Sequence, residues 1–269
     1  MDLMVPVKDG EVWARDSGVP GGADGERPPL VLLHPGVADS RVWDGMLPRL
    51  TARHRVIRYD ARAYGRSPEP TAAYSLVEDL VAVLDHFGVA RAFLAGSSMG
   101  GATAIGLALH DPARVTGLAL VVPAVTGCPD LVSPDFTAEV GRLAGAGDID
   151  GIVALVMRVS AAAGTGDDPR VRRYVRAVIP AWFAAHAHSV EDPPAYDRLG
   201  ELDVPCVLAL GERDQPEVVR ANEEMARRIP GCRLVRLADS DHFPMVREPE
   251  AVTDLILDAY ESAHRRAAH

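Results

Sequence analysis

The sequence of 269 residues has few of the features that mark secreted or metal-binding proteins. It contains three cysteines, Cys128, Cys206 and Cys232, an odd number with no spacing typical of a metal site. We expect small buried thiols in a reducing cytoplasm rather than a disulfide framework. The first residues, MDLMVPVKDG, also lack the basic start and the apolar stretch of a secretion signal, so the prediction is a cytoplasmic protein.

Positive charge is scarce as well. There are 28 Lys and Arg against 38 Asp and Glu, which gives a formal net charge of −10, and the isoelectric point is near 5.3. This balance disfavours polyanionic partners, so we expect no nucleic-acid partner and no membrane surface. No uninterrupted apolar run approaches the ~18 residues of a transmembrane helix. Apolar residues make up 48% and charged residues 25%, the composition of an ordinary globular protein.

Short aliphatic runs predict the strands of a mostly parallel sheet. Most of these runs are continuously apolar, as expected for strands buried on both faces. The predicted strands are Leu30–Leu33, Arg55–Tyr59, Ala92–Ala95, Gly117–Val122, Pro205–Leu210 and Arg233–Leu237.

Between these runs, apolar residues recur at helical spacing. The predicted helices are Ser75–Phe87, Gly100–His110, Pro216–Arg228 and Pro249–Ala263. Strands that alternate with helices through short connections predict an α/β fold with a doubly wound sheet.

One segment departs from this alternation. Residues 126–197 contain several helical stretches and no good strand. A helical insertion in an α/β domain is typical of a cap over the strand ends, where such sheets bind ligands. We therefore predict a core formed by residues 1–125 and 198–269 and a helical cap or lid formed by residues 126–197.

The stretch LAGSSMGG contains the pattern G-x-S-x-G, with Ser98 at its centre, after a predicted strand and before a predicted helix. A nucleophile at a sharp strand-to-helix turn needs small neighbours, and Gly96 and Gly100 meet that need. The pattern predicts that Ser98 is the nucleophile and that Ser97 is structural. A tight turn without catalytic function is the alternative.

A serine nucleophile needs a base, and the base needs a partner that fixes its tautomer. Asp214 in GERD and His242 in DSDHF each follow a later predicted strand, so all three side chains should meet at one edge of the sheet. Glu212 is the rival acid in its loop, and Asp214 could instead cap the next helix. Asp239 and Asp241, which flank the histidine, are predicted to be solvated loop acids.

Attack on a carbonyl carbon also needs hydrogen-bond donors for the developing oxyanion. The backbone N–H groups of Met99 and of Gly36 in VLLHPG are the predicted donors, with Val37 as the alternative to Gly36. His34 is expected to shape this loop. His186 and His188 form H-x-H in the predicted cap, but without further ligands we predict no metal and no cofactor.

With these motifs together, the chain resembles the α/β-hydrolase superfamily from Leu30 to its final helix. The elbow and the capped layout are similar to those of bacterial carboxylesterases and of meta-cleavage-product C–C hydrolases. Two positions depart from the family pattern: Pro35 occupies a usual glycine position in the oxyanion loop, and Ala63 replaces the first glycine of D-x-R-G-x-G-x-S. No arginine can be assigned to the substrate role that one has in the C–C hydrolases.

The resemblance implies a serine hydrolase that cleaves a small-molecule ester, thioester or lactone through an acyl-enzyme. A C–C bond hydrolase of a vinylogous diketone is the alternative, and a silent ligand-binding member is a third. Substrate identity and oligomeric state do not follow from the sequence. The residues predicted to line the substrate pocket are His34, Val37, Trp182, Phe183 and Phe243.

Overall fold

The computed structural model describes residues 2–20, 27–129 and 131–267. Its strands are β1 Asp2–Val7, β2 Gly10–Asp16, β3 Leu30–Leu33, β4 Val56–Tyr59, β5 Ala92–Ser97, β6 Val115–Val121, β7 Cys206–Gly211 and β8 Arg233–Leu237. The strand order in the sheet is β1-β2-β4-β3-β5-β6-β7-β8. From β4 to β8 all neighbours are parallel, whereas β1, β2 and β4 pair antiparallel.

The helices are α1 Leu47–Thr51, α2 Leu76–His86, α3 Met99–His110, α4 Pro134–Gly145, α5 Ile149–Ser160, α6 Pro169–His188, α7 Pro216–Arg228, α8 Pro244–Arg247 and α9 Pro249–Ala267. Short 3₁₀ turns span Ser40–Trp43, Pro112–Arg114, Thr165–Asp167 and Tyr196–Glu201. All the predicted strands and helices are present, with ends shifted by a few residues. The predicted α/β fold with a mostly parallel sheet is therefore confirmed.

The continuous apolar runs arise because both faces of the sheet are covered. Along β3, Leu30 and Leu32 belong to one apolar core, and the alternate residues Val31 and Leu33 belong to another on the opposite face. Successive strand side chains point to opposite faces, so β3, which is buried on both sides, has only apolar residues. The N-terminal hairpin of β1 and β2, at the sheet edge, was not assigned from the sequence. The glycine-rich stretch GVPGGADGERPP before β3 has the composition of a loop, and it includes residues 21–26, which lie outside the described residues.

The long connection between β6 and β7 carries α4, α5 and α6. Its described residues form no strand, apart from an isolated bridge between Tyr74 and Ser189. Helix α5 packs against both α4 and α6, and the buried residues of these helices extend the core that contains Leu30. The cap boundaries predicted at 126 and 197 fall within this connection and stay a prediction.

Cys206 and Cys232 are free thiols. Cys206 is buried at the start of β7, whereas Cys128 and Cys232 are half-buried. Cys232 immediately precedes β8, which places its Sγ 3.8 Å from the Sγ of Cys206. The expectation that the cysteines are buried is thus correct for Cys206 and not for Cys128 or Cys232. Within the described part of the chain, no helix is long and apolar enough to cross a membrane.

Candidate active site

The turn between β5 and α3 has a backbone conformation that residues other than glycine rarely adopt. Ser98 has φ +47° and ψ −114° and lies directly before the first residue of α3. Added Cβ atoms at Gly96 and Gly100 would lie 2.3 Å from the carbonyl oxygens of Gly100 and Leu33, respectively. The turn closes so tightly that both positions need glycine. The Ser98 side chain makes no hydrogen bond to the helix it precedes, so its hydroxyl is not used as a cap.

The loop after β6 supports this turn. The Ser98 N–H donates to the Val121 carbonyl oxygen at 3.3 Å, and the Ala124 N–H donates to the Ser98 carbonyl oxygen at 3.0 Å. Val122 itself has φ +41°, an outlier for a β-branched residue. Neighbouring strained positions that hydrogen bonds hold in place are typical of a functional site rather than of an ordinary loop.

His242 and Asp214 form a buried pair. The distance between His242 Nδ1 and Asp214 Oδ2 is 2.6 Å, and the Asp214 side chain is fully buried. The Gln215 N–H donates to Asp214 Oδ1 at 2.7 Å. Both carboxylate oxygens thus have partners, and the contact leaves Nε2 as the free ring nitrogen of His242.

The rival acid is excluded from this pair by its position. Glu212 accepts a hydrogen bond from Arg236 on the protein surface. Gln215, rather than Asp214, is the cap residue of α7, and its side chain forms no capping hydrogen bond. The structure therefore brings Asp214, and not Glu212, to His242, and Asp214 is not the cap residue of α7.

Two opposing effects act on the pKa of His242. Burial lowers it, while the charge of Asp214, the hydrogen bond to Asp214 and the charge of Asp241 raise it. The raising effects are larger in sum, so the pKa lies above the ordinary value for histidine. His242 is held in place by its own backbone as well, because its N–H donates to the Ser160 carbonyl oxygen at 3.1 Å.

The loop after β3 contains the predicted oxyanion donors. Its turn is closed by the Ala38 N–H, which donates to the Pro35 carbonyl oxygen at 3.2 Å. Gly36 lies beside Met99, since an added Cβ at Gly36 would be 3.7 Å from Met99 Sδ. Met99 is the first residue of α3, where backbone N–H groups have no intrahelical acceptor. Pro35 has no N–H, but the two residues after it both face the cavity.

His34 fixes the position of this loop. Its Nδ1 lies 2.9 Å from the Pro35 carbonyl oxygen, and the Ala61 N–H donates to its Nε2 at 3.0 Å. With both ring nitrogens occupied, His34 holds the loop after β3 against the loop after β4. Asp60 strengthens this link, because its carboxylate accepts from the N–H groups of Ser40 and Arg66 at 2.9 Å.

A cavity of about 430 Å³ opens over Ser98 and His242. It lies between the carboxyl ends of the strands and the helical connection. At its wall, Trp182 Nε1 of the connection donates to the Gly36 carbonyl oxygen at 2.6 Å. Its wall is mostly apolar, and the described lining residues include no Lys or Arg. The lining side chains that carry carboxylates are Glu191 and Asp192.

Three residues predicted for the pocket wall need correction. His34 is buried at the start of the loop after β3, where its ring nitrogens are occupied as described above. Phe183 is 44% exposed, because one residue along a helix turns the side chain away from the cavity face that Trp182 occupies. Phe243 is fully buried in the core, with its ring edge-on to His242. Of the predicted set, Val37 and Trp182 do line the cavity.

Asp241 also differs from its prediction as a solvated acid. It is fully buried and accepts three hydrogen bonds, from the Ala163 N–H at 3.0 Å, from Thr165 Oγ1 at 2.9 Å and from the Phe243 N–H at 3.1 Å. Its donors on the helical connection are more than 75 residues away in sequence. Asp239, in contrast, is exposed as predicted, with 76% of its side chain accessible.

In the described ranges, no group of three His, Cys, Asp or Glu side chains could hold a metal ion. The side chain of His186, one half of the H-x-H pair, lies outside the described part of the structure.

Comparison with known proteins shows the family to which the chain belongs. Residues 30–255 match the alpha/beta hydrolase family. The chain therefore belongs to the alpha/beta hydrolase family, and it is an enzyme, a hydrolase.

Relatives of similar length include a pimeloyl-[acyl-carrier protein] methyl ester esterase of Nitrosomonas europaea. It is 27% identical over 252 residues, which cover 84% of this chain and 93% of that protein. A hydrolase from Pseudomonas aeruginosa PA01 superposes with a TM-score of 0.79 at 27% identity and covers 96% of this chain and 97% of its own. Est816, described as an N-acyl homoserine lactone degrading enzyme, gives 0.80 at 27% identity with 95% and 99% covered.

Proposed function

We propose that this hydrolase cleaves a small-molecule carboxylic ester through Ser98, His242 and Asp214, with an acyl-enzyme intermediate. The observation that carries the proposal is the buried contact of 2.6 Å between His242 and Asp214 at a cavity into which the strained Ser98 turn also opens. A base whose tautomer is fixed activates a serine whose hydroxyl it reaches, and Ser98 and His242 both line this cavity.

In the first half-reaction, the Ser98 hydroxyl oxygen attacks the acyl carbon while His242 Nε2 takes its proton. The oxyanion that forms accepts hydrogen bonds from the N–H groups of Gly36 and Met99. Met99 is the first residue of α3, where the helix dipole favours negative charge. The alcohol then leaves with the proton from His242, and the acyl group stays on Ser98.

In the second half-reaction, His242 removes a proton from water, which attacks the acyl-enzyme. The carboxylic acid is released when the proton returns to Ser98. Asp214 acts through both steps, because its carboxylate keeps the proton on Nδ1 and stabilises the charged ring. The same sequence of steps would open a lactone or cleave a thioester.

The cavity supports an uncharged substrate of moderate size. Its volume of about 430 Å³ is in the range of small-molecule sites. Its mostly apolar wall favours an apolar acyl or alcohol group, and its charged wall residues, apart from His242, are acids. A substrate that carries a carboxylate would meet like charge in a partly desolvated space, which disfavours binding.

The helical connection would act as the cap of this site. Phe136 of α4, Ser160 of α5 and Trp182 of α6 all contribute to the cavity wall. Val132, just before α4, and Val190, just after α6, also line the cavity, and both are more than half exposed. This is the role that we assign to residues 126–197.

The C–C hydrolase alternative is not favoured. Its substrates are dienoic keto acids, which carry a carboxylate, and the described cavity wall offers no cation to bind it. Two of the three similar proteins described above are an esterase and a lactone-degrading enzyme.

The test has two parts. A fluorophosphonate probe should label the wild-type protein and fail to label Ser98→Ala. Turnover should then be measured on p-nitrophenyl acetate, butyrate, hexanoate and octanoate, beside mono-p-nitrophenyl adipate and a dienoic diketone acid. We expect kcat/KM for the hexanoate to exceed that for the adipate by about 10-fold, because both have six acyl carbons and differ in charge. Turnover of the diketone acid without turnover of any ester would refute the proposal.

A further inference from the structure

We propose that Asp241 is a positioning residue that couples the helical connection to His242, so that the base is correctly placed only when residues 160–165 are docked against its loop. This proposal rests on the proposed ester hydrolysis, in which His242 is the base.

The hydrogen bonds of Asp241 carry the proposal. Its two oxygens divide their partners: Oδ2 accepts from the Ala163 N–H, while Oδ1 accepts from Thr165 Oγ1 and from the Phe243 N–H. One carboxylate thus joins the segment after α5 to the residue that follows the histidine. Because the group is fully buried, losing any of these donors would leave a charge without solvent to compensate for it.

A second contact joins the same two segments. The His242 N–H donates to the Ser160 carbonyl oxygen at the end of α5, and Ser160 lines the cavity. His242 and the residue before it, Asp241, are therefore both hydrogen-bonded to the helical connection. A shift of this segment would move the imidazole relative to Ser98, and positional errors near 1 Å cost enzymes on the order of 100-fold in rate.

Asp241 also acts through its charge. It is one of two acids whose fields favour the protonated ring of His242, the other being Asp214. Developing positive charge on His242 during proton transfer is stabilised by both. A residue that only filled space at this position would have no such effect.

Asp241→Asn separates these roles from packing. The amide keeps the shape, removes the charge and presents an NH₂ group to one of the backbone donors. We expect kcat to fall about 10- to 100-fold. We expect the pH midpoint of kcat/KM to move down by about half a unit to one unit. Asp239→Asn is the matched control: it makes the same charge change in the same loop at an exposed side chain, and both quantities should stay within about twofold and 0.2 units of wild type.

Thr165→Val tests the coupling without touching the charge. It removes one hydrogen bond to Asp241 and should lower kcat about 3- to 10-fold with the pH midpoint unchanged. Thr165→Ser keeps the hydroxyl and should restore most of the activity. These two variants decide the question even if Asp241→Asn fails to fold.

The rates should be expressed per active site labelled by the fluorophosphonate probe, with Tm measured for each variant. Lower Tm with wild-type kcat and an unchanged midpoint in Asp241→Asn would overturn the proposal, as would wild-type kcat in Thr165→Val. Failure of the proposed function itself is distinguished by the wild-type protein, which would then neither react with the probe nor hydrolyse esters.

Discussion

The two sides of the cavity are built in different ways. The sheet side has strained backbone at Ser98 and Val122, glycines that admit no Cβ, and a buried acid-histidine pair. The side formed by the helical connection is mostly apolar and has exposed residues such as Val190 at 54%. Proton transfer needs atoms placed to within tenths of an ångström, which a backbone held by many contacts provides. An apolar wall tolerates change, so this side is suited to setting the choice of substrate.

The largest effect is expected on the sheet side. Ser98→Ala should reduce kcat about 10⁵- to 10⁶-fold and leave Tm nearly unchanged, because the elbow already requires small groups. Steady-state assays and thermal unfolding measure the two quantities. Ser97→Ala, which changes a buried neighbour whose Oγ has no partner among the described atoms, should keep most of the activity. Equal loss in both variants would contradict the assignment of the nucleophile.

Asp214→Asn should come next. The amide keeps the shape but favours the wrong tautomer of His242, so kcat should fall about 10⁴-fold by analogy with the serine proteases. Glu212→Gln is the matched control in the same loop, and its kcat should stay within about twofold of wild type because Glu212 pairs with Arg236 at the surface. A large loss in the control variant would mean that the two acids act together.

The pH profile examines the electrostatics of the same side. His242 must be neutral to accept a proton, and its raised pKa keeps it charged to a higher pH than usual. Therefore kcat/KM should fall as pH drops below a midpoint that lies above ~6.5, the ordinary value for histidine. In Asp214→Asn, burial is no longer opposed by that charge and the midpoint should move down. A rate that is flat from about pH 5 to 9 would rule out a histidine base.

On the helical side, substitutions should change substrate binding more than chemistry. Trp182→Leu removes an apolar wall and the hydrogen bond to the Gly36 carbonyl oxygen, so KM for the hexanoate ester should rise about 10-fold. Phe183→Leu, at the adjacent exposed position, should leave KM within about twofold of wild type. If kcat fell more than KM rose in Trp182→Leu, the helical side would be needed for catalytic geometry as well.

The smallest effect concerns strain outside the cavity. Ala63 has φ +68° where the family pattern has glycine. Ala63→Gly relieves about 1–2 kcal/mol of backbone strain but adds freedom to the unfolded chain, so Tm should rise by about 1–2 °C. Ala61→Gly, at an ordinary backbone position two residues earlier, should lower Tm instead. Calorimetry distinguishes the two signs.

The sequence by itself determined the fold and the identities of the three residues in the proposed triad. Strands that are buried on both faces are mostly apolar, so β3, β5 and β7 can be recognised in the sequence as short apolar runs. A turn that closes between two backbones excludes Cβ atoms, so Gly96 and Gly100, placed between a predicted strand and a predicted helix, indicate the turn at Ser98. These constraints act on residues that are close together in the sequence, so they leave a pattern that can be recognised there.

Only the tertiary structure decided the contacts between distant segments. Asp239 and Asp241 are the same residue type in the same loop, yet Asp239 is exposed and Asp241 is buried. The difference arises because Thr165 and Ala163 reach Asp241 from another part of the chain, and a donor 76 or 78 residues away leaves no local pattern. For the same reason, the sequence could not tell that Trp182 faces the cavity while Phe183 faces outward. Which side of α6 meets the sheet depends on how the whole connection packs.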